Sequence, residues 1–169
     1  LEEMLAGFAH DAYSNHSEQA KKNYFLVWDY AIDQGFAFGS GMGTNHHYGY
    51  QVRKIYTTAW LMRDAIWKAP NRDNILSALI FWSALQETRI PFQYGRDELL
   101  DSWHTLLTAK TVAALLFVDE RERARALAGL SRWLSGSLQY SPGTIGGIKV
   151  DGTTFHHGGF YPAYTTGVL

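Results

Sequence analysis

The chain has 169 residues, a mass of 19.1 kDa, 15 Lys+Arg against 16 Asp+Glu for a formal charge of -1, 46% hydrophobic residues and no cysteine. That length fits one domain able to bury a core. The charge balance excludes a strongly basic nucleic-acid binder, and the lack of cysteine excludes disulfides, thiolate metal sites and cysteine nucleophiles. No apolar run approaches the roughly 20 residues that cross a bilayer, so no membrane partner is expected. The unusual figure is aromatic content, 15% from 6 Trp, 10 Tyr and 9 Phe. Such rings either fill a core or stack on sugars and bases.

In chain order, most of the sequence predicts helices in antiparallel pairs. Leu1 to about Tyr13 reads as a short helix. Ser17 is an N-cap for a second helix running to about Gln34, with Gly35 as its stop. Phe36 to His47, FAFGSGMGTNHH, is too glycine-rich to be helical. From Tyr48, apolar residues recur at Val52, Ile55, Ala59, Met62 and Ile66, a 3.6-residue stripe predicting one helix to about Ala69. Asn71 or Asp73 caps the next, which carries Ile75, Leu79, Trp82 and Leu85 and stops before Pro91. Further helices are predicted over Asp97 to Val118 and Glu120 to Leu138. Tyr140 to Leu169 reads mostly as loop, punctuated by Gly146-Gly147, Asp151-Gly152 and Gly158-Gly159. The class is all-α, with two long glycine-rich loops of the kind that carry function.

Four of seven histidines form two adjacent pairs in those loops, His46-His47 and His156-His157. Tyrosines follow each: Tyr48 and Tyr50 after the first pair, Tyr161 and Tyr164 after the second. The pattern points to a cleft where imidazoles, which titrate near neutral pH, meet phenols that act as acid or base when a neighbouring charge shifts them. Zinc is the rival use of the histidines. No pair has HExxH spacing, and adjacent side chains on an extended strand diverge, so a zinc site needs one histidine from each pair with Asp151. A hard cation held by Asp151 and carbonyls is the other metal option. No GxSxG elbow is present, Gly39-Ser40-Gly41 lacks a preceding strand, and the loops hold no second carboxylate for glycosidase chemistry. The Asp119 to Arg125 charge run is a solvated helix start. One or two rings are expected to reach a sugar, with Trp60 or Trp103 as the candidates.

The segments GTNHHYGYQVRKIYTTAWLMRDAIW (43–67) and VDGTTFHHGGFYPAYT (150–165) resemble two motifs of the chondroitin ABC lyases, polysaccharide lyase family 8. The intervening DSWHTLLTAKTVAALLFVDERERARALAGLSRWLSGSL (101–138) is similar in order and length. The resemblance covers most of the chain from about Gly39. It implies an incomplete α/α toroid followed by β domains, with residues 1–169 an internal part of the catalytic domain. It also implies β-elimination of chondroitin and dermatan sulfates, and often hyaluronan, in a secreted or periplasmic enzyme.

The family pattern of a histidine followed seven residues later by a tyrosine matches His157 and Tyr164. The first-motif histidine, tied to handling the other uronate epimer, matches His47, with His46 as the alternative. His46, His156, Asn45, Tyr161 and Trp60 are the implied substrate-binding residues. His156 stands where some relatives have arginine. The family's downstream arginine and glutamate match no residue here, so the resemblance implies little activity from these residues alone, with the rest of the parent chain as partner. Arg53, Lys54, Arg63 and Lys149 are candidates for a positive cleft facing a polyanion. No essential cofactor is implied; Ca or Mg is the open option. A non-catalytic glycan-binding helical domain and a metal-dependent glycan hydrolase remain the alternatives.

Overall fold

A computed structural model describes residues 1–95 and 99–164, the side chain of His46 excepted. Nine α-helical segments are described: α1 Glu2–Ser14, α2 Glu18–Asp33, α3 Asn45–Gly49, α4 Arg53–Leu61, α5 Arg63–Ile66, α6 Arg72–Trp82, α7 Leu99–Asp101, α8 Leu107–Leu115 and α9 Glu120–Ser137. A 3-10 turn, Leu85–Arg89, follows α6, and a π-helical turn, Ser102–Leu106, joins α7 to α8. Among the described residues, no helix is long and apolar enough to cross a membrane.

Local chemistry sets the strongest boundaries. The Ser17 hydroxyl accepts from Ala20 N at 3.1 Å, and Asp119 accepts from Arg121 N and Glu122 N at 2.9 Å. Each satisfies amides that a helix start leaves unpaired. Gly35 ends α2 at φ +98. Asn71, the expected cap of α6, instead donates its amide across to Asp29 of α2.

The predicted continuous helix from Tyr48 is broken into α3, α4 and α5, and α3 starts at Asn45, inside the glycine-rich stretch expected not to be helical. One break has a tertiary cause at Gly49, which lies against the π turn. A Cβ there would fall 2.4 Å from Thr105 Oγ1. The position therefore admits only glycine, itself a weak helix former.

α1 packs beside α2 and α4, α4 and α6 meet α8, and α8 lies along α9. Their buried faces form the main core, with Leu5, Tyr24, Trp28, Ile55, Tyr56 and Trp82 among its fully enclosed side chains. Phe36 stacks on Trp82 at 5.5 Å between ring centres, so much of the aromatic excess is packing. Trp103 belongs there too: it is buried and its indole N–H donates to Ser137 Oγ at 3.0 Å, which corrects its expected sugar role. With Leu99, Leu100 and Trp133 it makes a second, smaller cluster.

Residues 140–164 are mostly loop, as expected, and add three very short strands. β1 Gly147–Ile148, β2 Thr154–His156 and β3 Gly159–Phe160 form an antiparallel sheet in the order β1-β2-β3, with Phe155 facing Gly147 on one side and Phe160 on the other. Two compact turns make this possible. Asp151 accepts from Thr153 N and Oγ1, closing the β1–β2 connection. His157 and Gly158, at φ +47 and +75, form the two-residue β2–β3 link. Lys149 braces the preceding loop by donating to Gly143 O at 2.8 Å and Ile145 O at 2.6 Å.

Candidate active site

The second cluster carries the chemistry. Asp101 ends α7 directly after the buried pair Leu99-Leu100 and is only 5% exposed. The π turn begins at the next residue, and Thr105 Oγ1 donates back to Asp101 O at 2.8 Å. Such turns recur where a helix must re-aim a side chain. Here the carboxylate faces the sheet.

Tyr164 packs on the cluster and donates its hydroxyl to Asp101 Oδ1 at 2.9 Å. Tyr50, just after α3, places its hydroxyl 3.4 Å from both Asp101 Oδ1 and Tyr164 Oη. The other carboxylate oxygen, Oδ2, lies 3.2 Å from Nε2 of His156, which β2 buries. The Tyr50 hydroxyl, partial burial and the Asp101 carboxylate together raise the Tyr164 phenol well above its ordinary value near 10. Tyr164 is therefore held as a protonated phenol.

The expected divergence of adjacent histidines fails at the second pair. His157 occupies a left-handed turn conformation rather than an extended one, which removes the strand alternation. Its ring lies 3.8 Å from that of His156, centre to centre. Tyr161 and Tyr164 complete an aromatic group at 5.4 Å and 5.1 Å from the His156 ring. His157, His156, Tyr161 and Tyr164 are thus brought together.

The remaining candidates sit as follows. His47 is exposed on α3, which abuts the π turn, and its Nδ1 is 2.9 Å from Thr44 Oγ1. His46 shares α3, and its side chain lies outside the described residues. Asn45 donates its amide to Phe81 O and lines a cavity of about 500 Å³ walled by Trp133, Phe92, Gln93 and Ser102. Trp60 stays apart on α4, with the Arg63 guanidinium 4.4 Å from its ring centre.

Of the four cleft cations, Lys54 pairs with Glu3, Arg63 with Asp64 and Trp60, and Lys149 with backbone carbonyls. Arg53 reaches the site, donating to His104 O at 3.0 Å and lying 5.8 Å from the Tyr50 ring centre. The His104 ring in turn lies 5.8 Å from those of Tyr50 and Tyr164.

Asp151 is turned into its own Asx turn, and among the described residues the expected metal grouping with one histidine of each pair does not form around it. A different grouping does: Asp101, His156 and His157 each offer one ligand atom, all within 4.8 Å of one another. Sequence reasoning missed Asp101. Its signal is a single carboxylate inside the apolar run of Leu99, Leu100, Trp103 and Leu106, since a buried charge is more informative than a buried leucine.

An acid–base cluster of carboxylate, imidazoles and phenols on a helical scaffold is the arrangement of a proton-transfer enzyme. A family model described as "Lyase, catalytic" matches residues 1–169, and the chain belongs to that family of lyase catalytic domains. It is 34% identical over 154 residues to a chondroitin sulfate ABC exolyase of Bacteroides thetaiotaomicron, covering 90% of this chain and 15% of the relative. A chondroitin sulfate ABC endolyase of Proteus vulgaris is 32% identical over 149 residues, 87% of this chain and 15% of that protein. A Proteus vulgaris ABC exolyase is 31% identical over 151 residues, with 87% and 15% covered. The chain thus spans about 15% of the length of these curated relatives.

Proposed function

We propose that the protein carrying this chain is a polysaccharide lyase that cleaves chondroitin and dermatan sulfates, and hyaluronan, by β-elimination at the uronic acid. Family membership supports the reaction class, and the relatives' names support chondroitin sulfate as a substrate; dermatan sulfate and hyaluronan rest on the motif resemblance alone. The observation that carries the reading is the contact of Tyr164 with Asp101 beside the His156-His157 pair.

The C5 proton of a uronate is weakly acidic while its carboxylate is ionised, so the enzyme has to offset that charge, take the proton and protonate the departing C4 oxygen. In this mechanism Tyr164 passes its proton to Asp101 Oδ1 and accepts the C5 proton. It then delivers that proton to the glycosidic oxygen as the C4–O bond breaks and the C4–C5 double bond forms. Asp101 finally returns its proton to the phenolate, which leaves an unsaturated uronide, a new hydroxyl end and the starting enzyme. His157 binds the sugar carboxylate, and His156 holds Asp101. Tyr161 and Asn45 flank the sugars, and His46 is assigned to the same group. The cavity of about 500 Å³ that Asn45 lines falls within the range of ligand pockets. Arg53 adds positive charge toward the polyanion. Trp60, apart from the cluster, touches only an outlying part of the chain. Proton abstraction from the opposite face, which the iduronate epimer requires, falls to His47. Export to the periplasm or medium belongs to the same reading, because the substrate is extracellular.

The test is Tyr164→Phe in the intact protein, followed by ultraviolet detection of unsaturated product. A loss of about 10²–10⁴-fold is expected, whereas a near wild-type rate refutes the assignment. His47→Ala is expected to depress turnover of dermatan sulfate far more than that of chondroitin sulfate. Equal losses refute the epimer-specific role.

A further inference from the structure

Of the four candidate cations near the motifs, Arg53 alone among the described residues reaches the acid–base cluster. Positive charge collects elsewhere, in a groove of about 420 Å³ between the 3-10 turn and α9. We propose that this groove is a second, non-catalytic binding site for an acidic polysaccharide. On the lyase reading above, its occupant is a sulfated glycosaminoglycan strand, the same polymer that the enzyme cleaves.

A close approach of two elements builds the groove. Gly129 of α9 lies against the 3-10 turn, where a Cβ would fall 2.9 Å from Thr88 O, so a side chain there would push the walls apart. Arg89 ends the turn on one wall. Arg125 and Arg132 stand on the other, two helical turns apart on one face of α9. None of Asp101, His156, His157 and Tyr164 lines this groove.

Charge is the second support. The three guanidiniums meet one carboxylate, Glu122, which Arg125 already holds at 2.6 Å. Among the described residues, Arg89 and Arg132 make no ion pair and no side-chain hydrogen bond. Arg63, Arg72 and Arg123, by contrast, are each set against a neighbouring acid. Two exposed guanidinium forks are therefore open to an anion, and their geometry suits the paired oxygens of a carboxylate or sulfate.

Spacing selects a polymer. Arg125 and Arg132 are separated by about 10.5 Å along the helix axis, too far to close on one small anion but suited to successive charges on a strand. Leu85 and Phe117 offer apolar surface to the sugar C–H faces, and Gln86 offers an amide to their hydroxyls. The formal charge of -1 weighs against nucleic acid as the occupant.

Position gives the groove a purpose. Glu87, on the same turn as Gln86 and Arg89, lines the cavity that Asn45 also lines. The turn thus has the cavity on one side and the groove on the other. A strand held by the arginines stays beside the cavity without touching the reacting groups, which raises its local concentration there.

The experiment compares Arg89→Ala/Arg132→Ala with Lys22→Ala/Lys68→Ala in the intact protein. The lysine pair removes the same charge from a different groove. Binding of polymeric chondroitin sulfate is measured by calorimetry in the Tyr164→Phe background. The arginine pair is expected to weaken it about 10-fold and flatten its salt dependence, and the lysine pair to change it by about 2-fold or less. In the ultraviolet assay with Tyr164 intact, the arginine pair is expected to raise KM for the polymer about 10-fold at unchanged kcat, and to leave KM for a tetrasaccharide unchanged. Circular dichroism checks the fold of each variant, and Arg89→Gln/Arg132→Gln repeats the test with longer side chains. Unchanged polymer binding in a folded arginine variant, or an equal loss in the lysine variant, overturns the site. An RNA oligomer bound as tightly through the same arginines overturns a polysaccharide as its occupant. Arginine-dependent binding by a protein that releases no unsaturated product refutes the lyase reading and leaves the groove standing. Normal turnover with unchanged polymer KM in the arginine variant removes the groove and leaves the lyase reading standing.

Discussion

His157 sits at φ +47, where an L-residue with a Cβ is disfavoured by about 1–2 kcal/mol. A two-residue hairpin link with both residues left-handed favours Asn-Gly, and this chain has His157-Gly158. An imidazole thus stands at a position whose backbone suits another residue, as strained side chains at functional sites do. His157→Gly is accordingly expected to stabilise the fold by about 1 kcal/mol in thermal or denaturant unfolding while eliminating lyase turnover. A destabilised variant would show that the His156–His157 ring contact outweighs the backbone strain. The separation of His157 and Tyr164 is legible in the sequence because both lie in one short segment. Asp101 is not, because 63 residues separate it from Tyr164 and only the fold closes their 2.9 Å contact.

At the scale of elements, one buried lysine ties three segments together. Lys110 of α8 is 0% exposed and donates to Ser83 O at 2.9 Å and Ala84 O at 3.3 Å, the carbonyls just past the end of α6. Its ammonium is also 3.7 Å from Glu87 Oε2 on the 3-10 turn. A cation here satisfies carbonyls that a helix end leaves over and meets the negative end of its dipole. Lys110→Met keeps the packing volume but removes the charge and its hydrogen bonds, and a loss of about 2–4 kcal/mol is expected in chemical denaturation. Glu87→Gln, at a partly exposed site, is expected to cost less. In the sequence Lys110 looks like any helix lysine, since nothing local reveals that α6 ends against it. The breaks after α3 and the sheet at 147–160 were hidden for the same reason. Gly49 answers to Thr105, and three very short strands carry too little alternation to be recognised.

For the molecule as a whole, the aromatic core sets the response to alkali. Tyr24 is fully buried among Phe25 and Trp28, and burial pushes its phenol up to about 12. Tyr56, enclosed and donating to Leu79 O at 2.8 Å, is pushed further in the same direction. An unfolded tyrosine ionises near 10. Below that pH both states keep the proton and the contribution is intact. As pH rises from about 10 toward 12 the unfolded chain loses the Tyr24 proton while the folded one retains it, so stability falls. A gap of that size corresponds to about 3 kcal/mol for Tyr24 alone. Tyr24→Phe is expected to move the alkaline unfolding midpoint upward with little change near pH 7, as its hydroxyl has no hydrogen-bond partner among the described residues. An unchanged alkaline midpoint would refute the role of Tyr24.

The sequence by itself determined the helical class, the capped start at Ser17, the helix start near Glu120 and the resemblance to the lyase family. Each is carried by residues within a few positions of one another, where hydrogen bonding and periodicity act locally. The tertiary structure decided the rest. It placed Asp101 under Tyr164, stacked His157 on His156, gave Trp103 to the core and turned Lys149 to its own loop. Those outcomes depend on which surfaces bury one another, and burial is a property of the packed chain rather than of any window along it.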